Sequence, residues 1–167
     1  MRPRRRLVQA DAVSVSQGWS VRVASAADIA VWAQLRNALW PVDEVAEHED
    51  EAREQLAAPG LHTVLAFADD GRACGFAEAS LRRDYVNGTE SSPVGFLEGW
   101  YVAPEWRGRG VGRALIAQVE QWTRAQGCSE LASDALLENT GSHDAHTACG
   151  FEETERVVYF RKALREA

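Results

Sequence analysis

Cysteine is scarce in this chain, and long hydrophobic runs are absent from it. The three cysteines, Cys74, Cys128 and Cys149, are an odd number without C-x-x-C spacing. That pattern argues against a disulfide framework or a zinc ribbon, and it favours reduced thiols in a cytoplasmic protein. No apolar stretch approaches the roughly 18–20 residues that a membrane span requires. We therefore expect a cytoplasmic protein without a membrane partner.

Basic residues are fewer than acidic ones. The chain contains 18 basic and 25 acidic residues, which gives a formal net charge of −7. Four of the arginines lie within residues 1–6, so the remainder of the chain has fourteen basic against twenty-five acidic residues. Such a body repels polyanions and attracts polycations. The composition therefore argues against nucleic acid as a partner and favours a positively charged one.

The length and overall composition are those of one globular domain. The 167 residues are 46% hydrophobic and 26% charged, which is close to average usage. Polar residues follow the arginines of the first 18 residues, so a secretory signal is not predicted there. We predict a disordered extension over residues 1–18 and a single domain over residues 19–167.

Hydrophobic periodicity predicts four helices and six strands. The helices are expected over residues 26–39, 43–54, 110–124 and 142–149, and the strands over residues 21–23, 62–68, 72–82, 94–102, 131–133 and 154–161. Within the second helix, Glu47, Glu49 and Asp50 are expected on a solvated face. The order β-α-α-β-β-β-α-β-α-β predicts an α/β (α+β) fold, in which helices flank a mixed central sheet.

The most informative segment is a glycine-rich loop, R-G-R-G-V-G, over residues 107–112. It lies between a predicted strand and a predicted helix, where backbone N–H groups and the helix dipole can hold an anion. A Rossmann fingerprint would need glycine where Arg113 stands, and the Gly-Lys-Ser/Thr of a Walker loop is missing. Taken alone, the loop is either a phosphate cradle or a flexible turn.

Two carboxylates stand close to this loop in the predicted fold. Glu98 lies inside an apolar strand, where a lone charge is costly. Asp134 follows the next strand of the sheet. Neither carboxylate is expected to stabilise the fold at its position, whereas both are suitable for binding a polyamine. The alternatives are that Glu98 faces solvent on an edge strand and that Asp134 is a cap or turn residue.

Several sequence strings resemble a known enzyme family. The R-x-x-G-x-G pattern after a strand resembles motif A of the GNAT N-acetyltransferase superfamily. Five rarer strings resemble the aminoglycoside 6′-N-acetyltransferases, specifically their short chromosomal-type members from Gram-negative bacteria. These strings are L-W-P at 39–41, Y-V-N-G-T at 85–89, F-L-E-G at 96–99, A-S-D-A at 132–135 and E-T-E-R-V-V-Y-F at 153–160.

The resemblance implies a GNAT fold, acetyl-CoA as cosubstrate, an aminoglycoside as acceptor and a homodimer. Carried over by position, it implies aminoglycoside contacts at Trp40, Asp43, Tyr85, Glu98, Asp134 and Glu155. It implies acetyl-CoA contacts at Trp100, Tyr101, Val102, Arg107, Gly108, Arg109, Gly110, Val111, Gly112 and Asn139. The expected outcome is acetylation of the 6′-amine, which inactivates the drug and confers resistance.

The expected mechanism is direct attack of the amine on the thioester. Asp134 is the first candidate for the general base and Glu98 the second, with a water relay as the alternative. A backbone N–H within residues 100–102 is expected to polarise the carbonyl. The departing thiolate takes its proton either from His146, which stands where many superfamily members have tyrosine, or from water.

Other readings of the sequence stay open. The protein is alternatively an acetyltransferase for another amine, such as a polyamine or a protein N-terminus, or a non-catalytic module that binds aminoglycoside or acetyl-CoA. His143, His146 and Cys149 share a helical face, but two histidines and one cysteine are few for a zinc site. No metal is therefore expected.

Overall fold

The computed structural model describes residues 18–41 and 43–164, which form one five-stranded sheet and four α-helices. The strands are β1 (Trp19–Val23), β2 (Leu61–Ala68), β3 (Ala73–Arg82), β4 (Val94–Val102) and β5 (Leu131–Ser133). The helices are α1 (Ile29–Leu39), α2 (Val45–Ala57), α3 (Val111–Ala125) and α4 (Thr140–Ala148). The predicted α/β class is confirmed, and so is the predicted order of elements from β1 to α4.

The sheet has the strand order β1-β2-β3-β4-β5, with antiparallel pairing among the first four strands and parallel pairing between β4 and β5. The β4–β5 pairing covers only three residue pairs and ends at Leu97 and Ser133. Residues 99–102 of β4 continue beyond it and, within the described residues, pair only with β3. The C-terminal half of β4 therefore has one side that β5 does not cover.

A bulge interrupts β4 at the same point. Glu78 of β3 is paired with Gly99, whereas Ala79 is paired with Leu97, so Glu98 is an extra residue in β4. An extra residue changes the direction of the side chains along a strand. Glu98 is exposed although Leu97 and Gly99 on either side of it are buried.

Helices cover both faces of the sheet. On one face, α3 packs Leu115 and Val119 against strand residues such as Val64. On the other face, Trp32 of α1 packs against Leu65 and Phe76. Because successive strand residues point to opposite faces, the adjacent residues Val64 and Leu65 belong to the two different cores. The apolar stripes of the helices explain why the sheet is covered on both sides.

Local signals fix several of the element boundaries. The backbone N–H of Ser25 donates to the Asp28 carboxylate at 2.8 Å, and this closes the turn that leads into α1. Gly71 has φ +85°, so it can take the tight reversal that joins β2 to β3. Strands β2 and β3, joined by this turn, form an antiparallel hairpin.

The predicted strand over residues 154–161 is not present in this chain. Residues 151–164 have no regular secondary structure, and nearly all of them are exposed, with Tyr159 at 84% and Phe160 at 94%. A strand needs a neighbour for its backbone groups, and this segment has none within the described chain. The prediction for residues 1–18 falls outside the described residues, apart from Gly18.

Candidate functional site

A cavity of about 540 Å³ lies between the two N-terminal helices and the sheet. Two of the lining residues are Trp40, which follows the end of α1, and Glu98, which lies at the β4 bulge. The other charged residues that line the cavity are Arg36, Glu51, Glu54 and Glu78. Four carboxylates and one guanidinium therefore surround a space large enough for a small molecule, which favours a cationic ligand.

The inner wall of the cavity is a buried ion pair. Arg36 Nη1 lies 2.5 Å from both carboxylate oxygens of Glu78, and only 5% of Arg36 and 3% of Glu78 are exposed. Trp32 Nε1 donates to Glu78 at 2.7 Å, and Gln55 donates to it at 3.1 Å. Arg36 also pairs with Glu51. Several donors therefore satisfy the oxygens of the buried Glu78 carboxylate.

The same network fixes the position of Trp40. His48, which is almost completely buried, contacts the Trp40 carbonyl through Nε2 at 3.1 Å. Since a carbonyl only accepts hydrogen bonds, Nε2 carries the proton, and Nδ1 is free to accept from Arg36 Nε at 3.4 Å. The Arg36 guanidinium lies 4.9 Å from the centre of the Trp40 ring. Contacts with His48 and Arg36 therefore hold Trp40 at the cavity wall.

Glycine at position 99 makes room for this tryptophan. A Cβ atom at Gly99 would lie 2.4 Å from Cη2 of Trp40, which is far closer than atoms can pack. The ring also meets Phe76 edge-on, with centroids 6.0 Å apart. A larger residue at position 99 would displace Trp40, so the glycine of the F-L-E-G string is explained by close packing.

Glu98 is not a lone charge, because a neighbouring arginine pairs with it. Arg82 Nη2 lies 2.9 Å from Oε1 and 2.8 Å from Oε2 of Glu98, and the Ser80 hydroxyl donates to Oε1. The Arg82 guanidinium lies 3.4 Å from the centre of the Phe96 ring. The side chain of Glu98 is 35% exposed, so it remains accessible from the cavity.

The glycine loop leads directly into α3, as predicted. Gly108 and Gly110 have φ of +72° and +84°, and a Cβ at Gly108 would meet no atom within 4 Å. The first N–H groups of α3 have no acceptor within the helix, and the helix dipole is positive at this end. An open, positively polarised cradle of this kind fits a phosphate group.

Trp100 connects the loop to the uncovered half of β4. Its ring lies against Gly112, where a Cβ would be 3.0 Å from Cζ2. Its Nε1 is buried and has no hydrogen-bond partner in the part of the chain that the structure describes. Tyr101 and Val102 follow on the same strand, and Arg107 Nε donates to the Val102 carbonyl at 2.9 Å. The strand and the loop therefore form one wall, which fits acetyl-CoA.

The chain beyond β5 places Asp134 and His146 near the end of that strand. Asp134 is exposed and directly follows Ser133. His146 Nδ1 donates to the Ser142 carbonyl at 2.7 Å, so in the neutral ring Nε2 accepts from the Ser133 hydroxyl at 2.9 Å. The ring meets Trp100 edge-on at 5.4 Å. In this arrangement Nε2 carries no proton and the Nδ1 proton is held by the Ser142 carbonyl, so His146 can release a proton only after the ring has been protonated.

The other predicted site residues lie outside the cavity lining in this chain. Tyr85 is 77% exposed in the loop after β3, and Asp43 is exposed before α2. Glu155 is exposed in residues 151–164. The side chain of Asn139 accepts from the Ser142 N–H at 3.1 Å, so its observed role is to cap α4.

Two of the cysteine thiols, those of Cys74 and Cys149, are poor nucleophiles. Burial raises the pKa of Cys149 and of Cys74 above the usual value, so both remain protonated near neutral pH, whereas the thiolate is the reactive form. Within residues 18–41 and 43–164, no three histidine, cysteine, aspartate or glutamate side chains come together as a metal site. None of the helices in those residues is long and apolar enough to cross a membrane.

Sequence reasoning missed much of the cavity wall. The sequence-based prediction does not include the lining residues Arg36, Glu51, Glu54 and Glu78. It also omits Arg82, which lies outside the lining and pairs with Glu98. Glu51 and Glu54 are on the acidic helix, whose charges were interpreted as solvated, and only the three-dimensional packing distinguishes them from Glu47 and Asp50. Glu78 had a usable signal, because it is a lone carboxylate inside an apolar strand, as Glu98 is.

Comparison with known proteins agrees with this arrangement. Residues 32–151 match the acetyltransferase (GNAT) family. The chain belongs to that family. Among its relatives, the aminoglycoside N(6′)-acetyltransferase type 1 of Stenotrophomonas maltophilia is 59% identical over 145 residues, which are 87% of this chain and 94% of that protein. The resemblance to the aminoglycoside 6′-N-acetyltransferases of the GNAT superfamily is confirmed.

Solved structures are similar over nearly the whole fold. AAC(6′)-Ih from Acinetobacter baumannii has a TM-score of 0.84 and 44% identity, and the match covers 88% of this chain and 99% of that one. AAC(6′)-Iy, solved in complex with the bisubstrate analogue CoA-S-monomethyl-acetylneamine, has a TM-score of 0.83 and 47% identity, covering 87% and 99%. The GNAT fold of this family member is thereby confirmed.

Proposed function

We propose that the protein transfers the acetyl group of acetyl-CoA to the 6′-amine of aminoglycosides. The observation that carries the proposal is the position of the uncovered half of β4. Glu98, at its start, faces the carboxylate-lined cavity, and Trp100, further along, lies against the glycine loop. The similarity to aminoglycoside N(6′)-acetyltransferases and to a complex with a CoA–aminoglycoside bisubstrate analogue supports the same activity.

On the acetyl-CoA side, the backbone is proposed to do most of the binding. The amides of residues 107–112 hold the pyrophosphate at the start of α3. A backbone N–H within residues 100–102 donates to the thioester carbonyl, and Asn139 lies on the pantetheine side. The thioester of acetyl-CoA is already an activated acyl group, so positioning of the two substrates provides much of the rate acceleration.

On the acceptor side, carboxylates are proposed to bind the ammonium groups. Trp40 offers a flat face to a sugar ring, and Tyr85 is a further contact. Negative charge comes from Glu98 and Asp134, together with Asp43 and Glu155. The 6′-nitrogen attacks the carbonyl carbon, the C–S bond breaks, and the amine proton passes to Asp134, with Glu98 or a water relay as the alternative. The sulfur takes a proton from His146 in its protonated form or from water. The raised pKa of Cys149 supports this direct transfer without an acyl-enzyme.

The decisive experiment measures CoA release with three acceptors. We expect turnover with kanamycin, which carries a 6′-amine, and none with a 6′-hydroxyl analogue or with spermidine. Preference for spermidine would assign the protein to polyamine acetylation, and binding without CoA release would make it a sequestering module. Acetylation of the drug removes a positive charge that holds it to ribosomal RNA phosphates, so expression is expected to raise the resistance of a sensitive host.

The catalytic role of Asp134 has its own test. We expect Asp134→Asn to lower kcat at least about 100-fold, a typical contribution of a general base, and to leave acetyl-CoA affinity nearly unchanged. Asp144→Asn, at an exposed position on α4, is the control and should behave as the wild type. An equal loss of turnover and of acetyl-CoA affinity would remove Asp134 from the chemistry.

We also propose a homodimer in the cytoplasm. Val157, Val158, Tyr159 and Phe160 form an exposed apolar run, which a monomer rarely tolerates. Within residues 18–41 and 43–164, no strand pairs with the outer edge of β5, so a second copy could offer a neighbour for residues 154–161. Light scattering should give the mass of a dimer, and replacing Tyr159 and Phe160 by serine should yield monomers; a monomeric wild type would contradict the proposal. The three free cysteines support a reducing compartment.

A further inference from the structure

We propose that Arg82 is an internal counter-ion of the acceptor site, which competes with a substrate ammonium for Glu98 and so sets the affinity for polycationic acceptors. This inference rests on the proposed function, because it assumes that the cavity binds an aminoglycoside. Arg82 is not a cavity-lining residue. It acts on the cavity only through the carboxylate that it shares with the acceptor.

The geometry shows a guanidinium in the place where a ligand cation would bind. Arg82 contacts Glu98 through three hydrogen bonds of 2.8–3.1 Å, so it neutralises the carboxylate when no acceptor is bound. Its guanidinium is also seated over the Phe96 ring. An ammonium that approaches Glu98 from the cavity must share these oxygens with Arg82 or displace it.

The Glu98 carboxylate is held in place without Arg82. The bulge fixes the Glu98 backbone between two buried residues, Leu97 and Gly99. The Ser80 hydroxyl, on a residue that is 8% exposed, donates to Oε1. Removing Arg82 therefore removes a positive charge but leaves an oriented and unpaired carboxylate at the cavity. This is the reason that we expect loss of Arg82 to strengthen acceptor binding.

A comparison with the buried Arg36 shows why Arg82 can be displaced. Arg36 is enclosed, and its partner Glu78 is also buried, so a ligand cannot replace it. The Arg82 side chain is 41% exposed, and water can take over its hydrogen bonds when it moves away from Glu98. An exposed pair of this kind is weak, which suits a contact that opens on binding.

The experiment compares acceptor affinity in the wild type and in two charge variants at low ionic strength. Arg82→Gln is expected to lower both the KM for kanamycin and its calorimetric Kd about two- to fivefold, the range of an exposed ion pair. The gain should shrink in 0.5 M salt, because the charges are then screened. Arg82→Lys keeps the charge and should stay near the wild type. Arg82→Met provides a second neutral variant, and thermal melts confirm that each variant is folded.

A double-mutant cycle identifies Glu98 as the group through which Arg82 acts. In the Glu98→Gln background, Arg82→Gln should leave the kanamycin KM unchanged. The matched control is Arg124→Gln, because Arg124 pairs with Glu120 at 2.8 Å and Glu120 is 35% exposed, as Glu98 is. That change removes the same charge from the last turn of α3, outside the cavity lining, and should have no effect on KM.

Three results would overturn the counter-ion role. They are an unchanged or raised kanamycin KM in folded Arg82→Gln, an equal gain in Arg124→Gln, and a gain that persists in the Glu98→Gln background. Failure of the proposed function has a different signature, since the wild type itself would then release no CoA with kanamycin.

Discussion

The two walls of the site are built from different parts of the chain. The cavity wall consists of charged side chains, with Arg36, Glu78 and His48 buried in one hydrogen-bonded network. The loop over residues 107–112 provides backbone amides, and side chains leave Gly108 and Gly110 almost free of contacts, whereas Gly112 packs against Trp100. One wall therefore presents negative charge through side chains, and the other presents positive polarity through the backbone.

This difference separates what each wall depends on. A backbone cradle depends on local conformation, which glycines at positive φ provide. A side-chain wall depends on packing between distant segments, because each buried charge needs a partner. Mutations in the glycine loop should therefore weaken binding with little loss of stability. Mutations in the side-chain wall of the cavity should lower the free energy of unfolding first.

The largest expected effect is on the buried ion pair. Arg36→Met leaves Glu78 buried without its cation, and we expect the free energy of unfolding to fall by about 3–5 kcal/mol. Urea denaturation measures the loss. Arg53→Met breaks only exposed pairs with Glu49 and Asp50, so as a control it should cost less than about 1 kcal/mol. Similar losses in both variants would contradict the distinction between the two walls.

The backbone wall is tested at Gly110, which has φ +84° at the start of α3. Gly110→Val should weaken acetyl-CoA binding about 5- to 30-fold, since a side chain in this conformation costs about 1–2 kcal/mol and the loop must shift. Gly127→Val, at φ +80° beyond the other end of α3, carries the same strain and should leave the acetyl-CoA KM unchanged. Calorimetric titration with CoA measures the dissociation constant in both variants and in the wild type. If kanamycin affinity fell as much as CoA affinity in Gly110→Val, the two walls would not be independent.

The smallest expected effect concerns the pH dependence of a paired carboxylate outside the cavity. Hydrogen bonds from Arg22, at 2.7 Å, hold the pKa of Asp28 well below its usual value. The pair therefore stabilises the fold above the usual aspartate pKa, and the contribution is lost as the pH falls through the folded value. Asp28→Asn should lower the free energy of unfolding by about 1 kcal/mol at pH 7, because Arg22 is half exposed and water screens the pair. The difference from wild type should narrow below about pH 4.

The control for this variant is Asp70→Asn. Asp70 pairs with Arg72 on the exposed β2–β3 turn, so its replacement should change stability little at any pH. A loss in Asp28→Asn that stays constant from pH 7 to pH 3 would mean that packing, and not charge, gives Asp28 its role.

Residues 151–164 mark the limit of sequence-based prediction of the fold. The apolar run within residues 154–161 predicts a strand, but it does not say which segment would pair with that strand. Within one chain no strand forms there, and Glu155 lies outside the cavity lining. A strand is a property of a pair of segments, so a single sequence cannot establish it.

The sequence by itself determined the features that depend on neighbours along the chain. These are the helices, the β2–β3 turn, the order of elements up to α4 and the glycine loop at the start of α3, because a period, a turn or a positive φ is decided within a few residues. Tertiary structure alone decided the bulge that exposes Glu98, the pairing of Arg82 with it, and the contact between Arg36 and Glu78, which are 42 positions apart. Those features depend on strand register and on burial, and both are fixed only when distant segments pack together.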